Sequence, residues 1–139
     1  MEVQISAWAV LAAMLSSMVV GSFWYAQGVF GKKWAKLAKI DMKKNTGSVV
    51  VPILTTMMVS LITAYVLAHV TFLSYQFFDV SYLNAALTTA FWMWLGFVAA
   101  RFITHDAFEG RPKTLTVINL GNELVTVMLM GLIIGLIGV

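Results

Sequence analysis

Apolar side chains fill this chain in four long runs, about residues 5–27, 49–72, 83–104 and 114–139, parted by three shorter polar stretches. Each run exceeds the roughly 20 residues that an α-helix needs, at 1.5 Å of rise, to cross a hydrocarbon core. None alternates apolar and polar positions in the manner of barrel strands. The pattern predicts an all-α polytopic membrane protein, a four-transmembrane-helix bundle forming one membrane domain over residues 1–139.

The stretch between the first two runs, GVFGKKWAKLAKIDMKKNTG, has a different rhythm. Lys32, Lys36, Lys39 and Lys43 are spaced 4, 3 and 4, which puts them on one helical face, while Phe30, Trp34 and Leu37 share another. This predicts an amphipathic interfacial helix over about 29–44. Its aromatic side, Trp34 included, meets the membrane and its lysines meet anionic headgroups. A partner protein is the alternative occupant of such a basic face. NTG then stops the helix before the next span.

Small residues mark where helices approach. Ala9, Ala13, Ser17 and Gly21 recur every four residues in the first run, a strip for close packing. Trp24 and Tyr25 then read as interfacial anchors. In the second run Thr56, Ser60 and Thr63 share a face, and His69, one turn after Tyr65, reads as an interfacial side chain. In the third, Ala85, Thr89, Gly96 and Ala100 lie on or near one side. Trp92 and Trp94 are about 200° apart, so at least one faces outward.

The last run, TLTVINLGNELVTVMLMGLIIGLIGV, is not uniformly apolar. Thr116, Asn119, Glu123 and Thr126 are spaced 3, 4 and 3 and form one polar stripe, with Asn122 beside it. Gly131, Gly135 and Gly138 form a neighbouring strip that includes a GxxxG. Glu123 falls about 13 Å from the start of its run, near the middle of a ~30 Å core. A carboxylate there costs about 3 kcal/mol on insertion scales. It must face the bundle, find a partner or take up a proton. The segments expected at its depth are Ser17 to Gly21, Thr55 to Ser60 and Trp94 to Gly96. Arg101 is the only cation that reaches, and only by turning inward. Without it, a neutral Glu123 sharing hydrogen bonds with Asn119 and Thr or Ser is the cheapest state.

Composition agrees with a membrane protein. The chain is 60% hydrophobic and 11% charged, with a mean hydropathy of +0.88, against about 25% charged residues in soluble domains. It has no cysteine, which excludes disulfides and thiolate metal sites. Its start, MEVQISAW, lacks the basic n-region of a signal peptide, so the first span is expected to be retained. The net charge of +3 comes from loops on one side. Loops 28–48 and 105–113, with Arg101 beside the second, hold every Lys and Arg. The positive-inside rule therefore puts these loops in the cytoplasm and both termini outside, and removes any need for nucleic acid as a partner.

On that basic side lies a polar cluster of Arg101, His105, Asp106, Glu109 and Arg111. Arg101, His105 and Glu109 stack at i, i+4 and i+8, which reads as an exposed ion-pair network closing a short loop with Gly110 and Pro112. One histidine and two carboxylates do not make a metal site, and no GxSxG supplies a nucleophile. No metal, cofactor or catalytic residue is assigned.

The stretches FWYAQGVFGKKW, TTAFWMWLGFVAA and HDAFEGRPKTLTVINLGNELV together resemble the DUF1761 family of small bacterial integral membrane proteins of unknown function. The motifs are Trp24-Tyr25, Phe30-Gly31-Lys32 with Trp34, Phe108-Glu109-Gly110-Arg111, and Asn119 with Gly121, and they span nearly the whole chain in order. Two positions depart from the family. Ala26-Gln27 replaces Ser-Pro, and Glu123 stands where the resemblance implies His in many members, so an ionisable group rather than a carboxylate as such. The resemblance implies a bacterial inner membrane and brings no mechanism.

Two functions fit. In one, the protein is a small transporter or channel, and Glu123, Asn119 and Asn122, with Thr116 and Thr126, bind a proton, cation or small polar solute near the midplane. In the other, the stripe stabilises helix register or a homo-oligomer, a dimer being the guess from the small-residue strips, and the protein is an assembly or accessory factor. An intramembrane enzyme ranks behind both.

Overall fold

The structure is a computed structural model and describes residues 3–40 and 49–138. All regular structure among these residues is helical. Four helices are long and apolar enough to cross a membrane: α1 (Ala7–Trp24), α3 (Val50–Phe77), α4 (Tyr82–Phe108) and α5 (Lys113–Ile137). The chain is therefore a multi-pass membrane protein built as an all-α bundle. Between α1 and α3 lies the short helix α2 (Lys32–Leu37), entered through a π turn at Gln27–Gly31. The four long helices alternate in direction. α1 packs on α3 and α5, α4 packs on the same two, and α3 and α5 face each other across the diagonal. One end of the bundle carries α2 and the α4–α5 turn, and is called the basic end below.

Local chemistry sets the helix limits. Ser6 and Ser81 cap α1 and α4 by accepting the backbone N–H groups of Ala9 and Asn84, each at 3.3 Å. Pro52 sits in the first turn of α3, where its missing N–H costs little. α4 closes on Gly110, whose φ of 64° allows Arg111 N–H to reach Asp106 O at 2.9 Å. α2 closes the same way on Lys39, a non-glycine residue at φ 57°, with Ile40 N–H on Ala35 O at 2.9 Å. This turn ends the amphipathic helix well before the expected limit near residue 44, because a left-handed residue redirects the chain. Lys43 lies outside the described residues.

Away from the basic end the bundle is tightly closed by small residues. Ala9 and Ala13 of α1, Ala64 and Ala68 of α3, and Ala85, Ala86 and Ala90 of α4 are all buried. α4 and α5 come closest here. A Cβ placed on Gly131 would lie 2.8 Å from Ala90 Cβ, and one on Gly135 would lie 2.9 Å from Leu83 Cα. The GxxxG thus joins two helices of one chain. Gly138 is not part of that strip; it has φ 79° and follows the end of α5. The first turns of α3, by contrast, leave most side chains exposed up to Val59.

α4 contains a π segment, Trp94–Ala99. A π turn takes in about one residue more than an α turn, so the inward face past this segment is not the one that uniform periodicity gives. Uniform α periodicity from Thr89 leads to Gly96 and Ala100. Both are exposed, and Ala99 and Asp106 are buried instead.

Candidate binding cavity

The polar stripe of α5 divides into two parts with different surroundings. The part nearer the basic end is hydrogen-bonded within the chain. The Thr116 hydroxyl donates to Asp106 Oδ2. Asp106 is buried and lies 3.8 Å from Arg111 Nε, which also pairs with Glu109. Asn119 Oδ1 accepts two bonds, from Tyr25 O–H at 3.2 Å and from Trp34 Nε1–H at 3.1 Å. The flanking backbone is held similarly. Trp24 Nε1–H donates to Ile118 O at 3.1 Å and Trp94 Nε1–H to Leu120 O at 3.3 Å. Three indoles from three segments thus converge on one turn of α5.

The glycines near this turn have steric reasons. A Cβ on Gly121 would meet Trp24 Cζ2 at 2.9 Å, so the glycine makes room for the indole against the helix. A Cβ on Gly31 would meet Tyr25 O at 2.1 Å, so the π turn closes only around a glycine. Phe30 stacks against Trp24 with ring centroids 4.8 Å apart, and Tyr25 meets Trp34 edge-on at 5.2 Å. Trp24, Tyr25, Phe30, Gly31, Trp34, Asn119 and Gly121, far apart in sequence, form one cluster.

Several expectations are corrected here. Trp24 and Tyr25 are not simple interfacial anchors, and Trp34 does not turn its ring toward lipid headgroups; all three reach inward because α5 offers acceptors that an indole or phenol can satisfy. Lys32, Lys36 and Lys39 remain exposed. Among the described residues no hydrogen bond joins Asn119 to Glu123; the Asn119 side-chain oxygen turns instead to Tyr25 and Trp34. Arg101 and His105 are exposed, and among the described residues neither side chain makes an ion pair or hydrogen bond. The network of the α4–α5 turn is Asp106, Glu109, Arg111 and Thr116, because Asp106 is buried where the Thr116 hydroxyl of α5 can reach it, while Arg101 stays exposed. α3 continues for about two turns beyond His69. The His69 Nδ1 is buried without a hydrogen bond and its ring lies 6.2 Å from that of Tyr65.

The second part of the stripe is open. Glu123 is half-buried, roughly 15 Å along α5 from its start. Among the described residues its carboxylate makes no hydrogen bond and no ion pair. It lies where three recesses meet. The first, about 600 Å³ between α1, α3 and α5, is lined by Ser17, Gly21, Thr55, Ser60, Asn122 and Thr126, among others. This matches the depth expected for Ser17 to Gly21 and Thr55 to Ser60. The second, about 400 Å³, lies under Tyr25 and Trp34 and reaches Arg111. The third, about 540 Å³ between α3 and α4, is bordered by Arg101, His105 and Asp106. Asn122 is 9% exposed and its Oδ1 has no hydrogen-bond partner. Asn122 and Glu123 thus border the same recess, and the Asn122 side-chain oxygen is sealed within the packing without a partner.

A searched set of curated proteins and one of solved structures hold no match to the chain. The sequence profile of a family described as "Protein of unknown function (DUF1761)" matches residues 8–135. That match takes in both the aromatic cluster and the cavity-lining helices, and the chain belongs to the DUF1761 family.

Proposed function

We propose that the protein is a small transporter or channel of the cytoplasmic membrane that binds a proton or cation at Glu123, with Asn122 and Thr126 beside it. The lysines set the orientation, with α2 and the α4–α5 turn in the cytoplasm and the termini outside. One observation carries the reading: the Glu123 carboxylate has no partner among the described residues and borders open space in the middle of a membrane crossing. A charged group at that depth costs about 3 kcal/mol, and nothing in the described packing offsets that cost. A bound cation or proton does. The remaining residues of the stripe, Thr116 and Asn119, serve packing.

Purified protein in liposomes tests this. Wild type is expected to carry a proton- or cation-dependent flux, and Glu123→Gln, a neutral isostere, is expected to abolish it while the circular dichroism spectrum and melting profile stay unchanged. Equal flux through both proteins would refute a titrating or cation-binding role for Glu123.

A further inference from the structure

Arg101 lies about 10 Å inside the end of α4, and Glu123 lies near the middle of α5. Both are ionisable groups within membrane crossings, and neither has a partner among the described residues. Both border the recess of about 540 Å³ between α3 and α4. We infer that this recess is a water-filled vestibule through which Glu123 is reached from the basic end alone, with apolar packing closing the way to the opposite end. This deepens the reading above by giving the proton or cation its route, and rests on it.

An ionisable side chain within a crossing faces the bundle interior or a water-filled cavity, and pairs where it can. Arg101 and Glu123 share a space without pairing, so water is left to solvate them. Polar side chains continue along the wall from the turn inward. Glu109 and Arg111 stand at the turn, His105 one helical turn in and Arg101 a second turn in, all exposed, with Thr63 and Glu123 beyond them. The recess under Tyr25 and Trp34 also runs from Glu123 to Arg111, so two of the three recesses at Glu123 lead to the basic end. The mouth carries charges of both signs, Arg101 and Arg111 against Asp106 and Glu109, so no single-sign field turns a cation away there.

The other direction is closed. Past Glu123, Val127, Met130 and Ile134 of α5 are at most 4% exposed. They pack in one cluster with Ala13 of α1, Ala64 of α3 and Ala90 of α4. All four long helices contribute, so the seal crosses the whole bundle and is about 10 Å deep. Packing at this density leaves no room for a file of water.

The chain has no cysteine, so a single introduced thiol reports its own access. Thr63→Cys and Ser60→Cys, both beside recesses that Glu123 borders, are exposed to membrane-impermeant methanethiosulfonates in sealed vesicles of either orientation. Lys36→Cys marks the basic end and Gln76→Cys the opposite end, so the sides are assigned without assuming which is cytoplasmic. Both probe thiols are expected to react only from the side that labels Lys36→Cys. Reaction from the side that labels Gln76→Cys, or from both sides, would overturn the route. No reaction from either side would overturn it too, as the result of a recess filled by lipid chains. The trimethylammonium reagent is expected to react about ten-fold faster than the sulfonate at Thr63→Cys, and Glu123→Gln to remove that preference. Equal rates from the basic side would leave the vestibule standing and refute a cation-attracting Glu123. Reaction from the opposite side with Glu123-dependent flux intact would do the reverse. The two probes sit at different recesses, so the test survives a variant that fails to fold.

Discussion

Ala64 and Leu67 of α3 are completely buried, while Ile53 and Thr56, three turns earlier on the same face of the helix, are exposed. Both stretches are apolar, so hydrophobicity does not separate them. Their neighbours do. Toward the far end, α3 meets the alanines of α1 and α4, and helices can approach closely because there is little side chain between them. Toward the basic end, α1 and α5 are joined by indole and phenol hydrogen bonds, and α3 is left outside that arrangement. In lipid, apolar surface has no water to escape from, so small residues and hydrogen bonds decide which helices touch. The closed half rests on shape, the open half on polar bonds, and Glu123 lies beside the region where α3 separates.

The contrast can be broken most strongly at Gly131. Replacing it with Leu sets a side chain against Ala90 and the Ala86 carbonyl, and overpacking of this kind costs about 1–3 kcal/mol. Gly131→Leu is expected to lower the thermal midpoint in detergent more than any change at the basic end. A wild-type melting curve would show that close α4–α5 approach does not hold the bundle. Asn119→Leu is the counterpart at the open end. It leaves Tyr25 and Trp34 without their acceptor, at about 0.6 kcal/mol per bond in membrane proteins, so a loss of about 1–2 kcal/mol is expected. Hydrogen exchange should rise in residues 25–40 and stay unchanged around Ala64. Uniform exchange across the chain would contradict two separately held halves. Gly121→Ala should cost about 1 kcal/mol by displacing the Trp24 ring. Gly21→Ala, where a Cβ meets nothing within 4 Å, should be neutral or slightly stabilising through helix propensity. Equal effects at Gly121 and Gly21 would remove the steric account of the indole site.

Much of this arrangement was legible from periodicity. The four crossings, the Ala9–Ala13–Ser17 strip, the Gly131–Gly135 contact and the shared depth of Glu123 with Ser17 and Ser60 all follow from counting residues along straight helices. Reading failed where the helix was not uniform or a side chain had two suitable places. The π segment at Trp94–Ala99 leaves no periodic mark, and Asp106 was grouped with Arg101 and His105 instead of with Thr116. Tryptophan suits a membrane interface and an internal carbonyl equally well, and spacing does not tell which way Trp24 or Trp34 points. Gly121 was the available signal, a gap opposite a large ring, but its partner lies in a distant part of the chain. The Thr116–Asn119–Glu123–Thr126 stripe was found as a unit because all four share a face; its division depends on Tyr25 and Trp34, which other segments supply.

The convergence of Trp24, Trp34 and Trp94 on Ile118, Asn119 and Leu120 has an optical consequence. Indole emission shifts in wavelength with the polarity and hydrogen bonding at the N–H. Three of the five tryptophans report on the turn just before Glu123, while Trp8 and Trp92, 78% and 63% exposed, lie away from it. The protein therefore carries an intrinsic fluorophore array beside its candidate binding cavity, and occupancy can be followed by emission without attaching a dye.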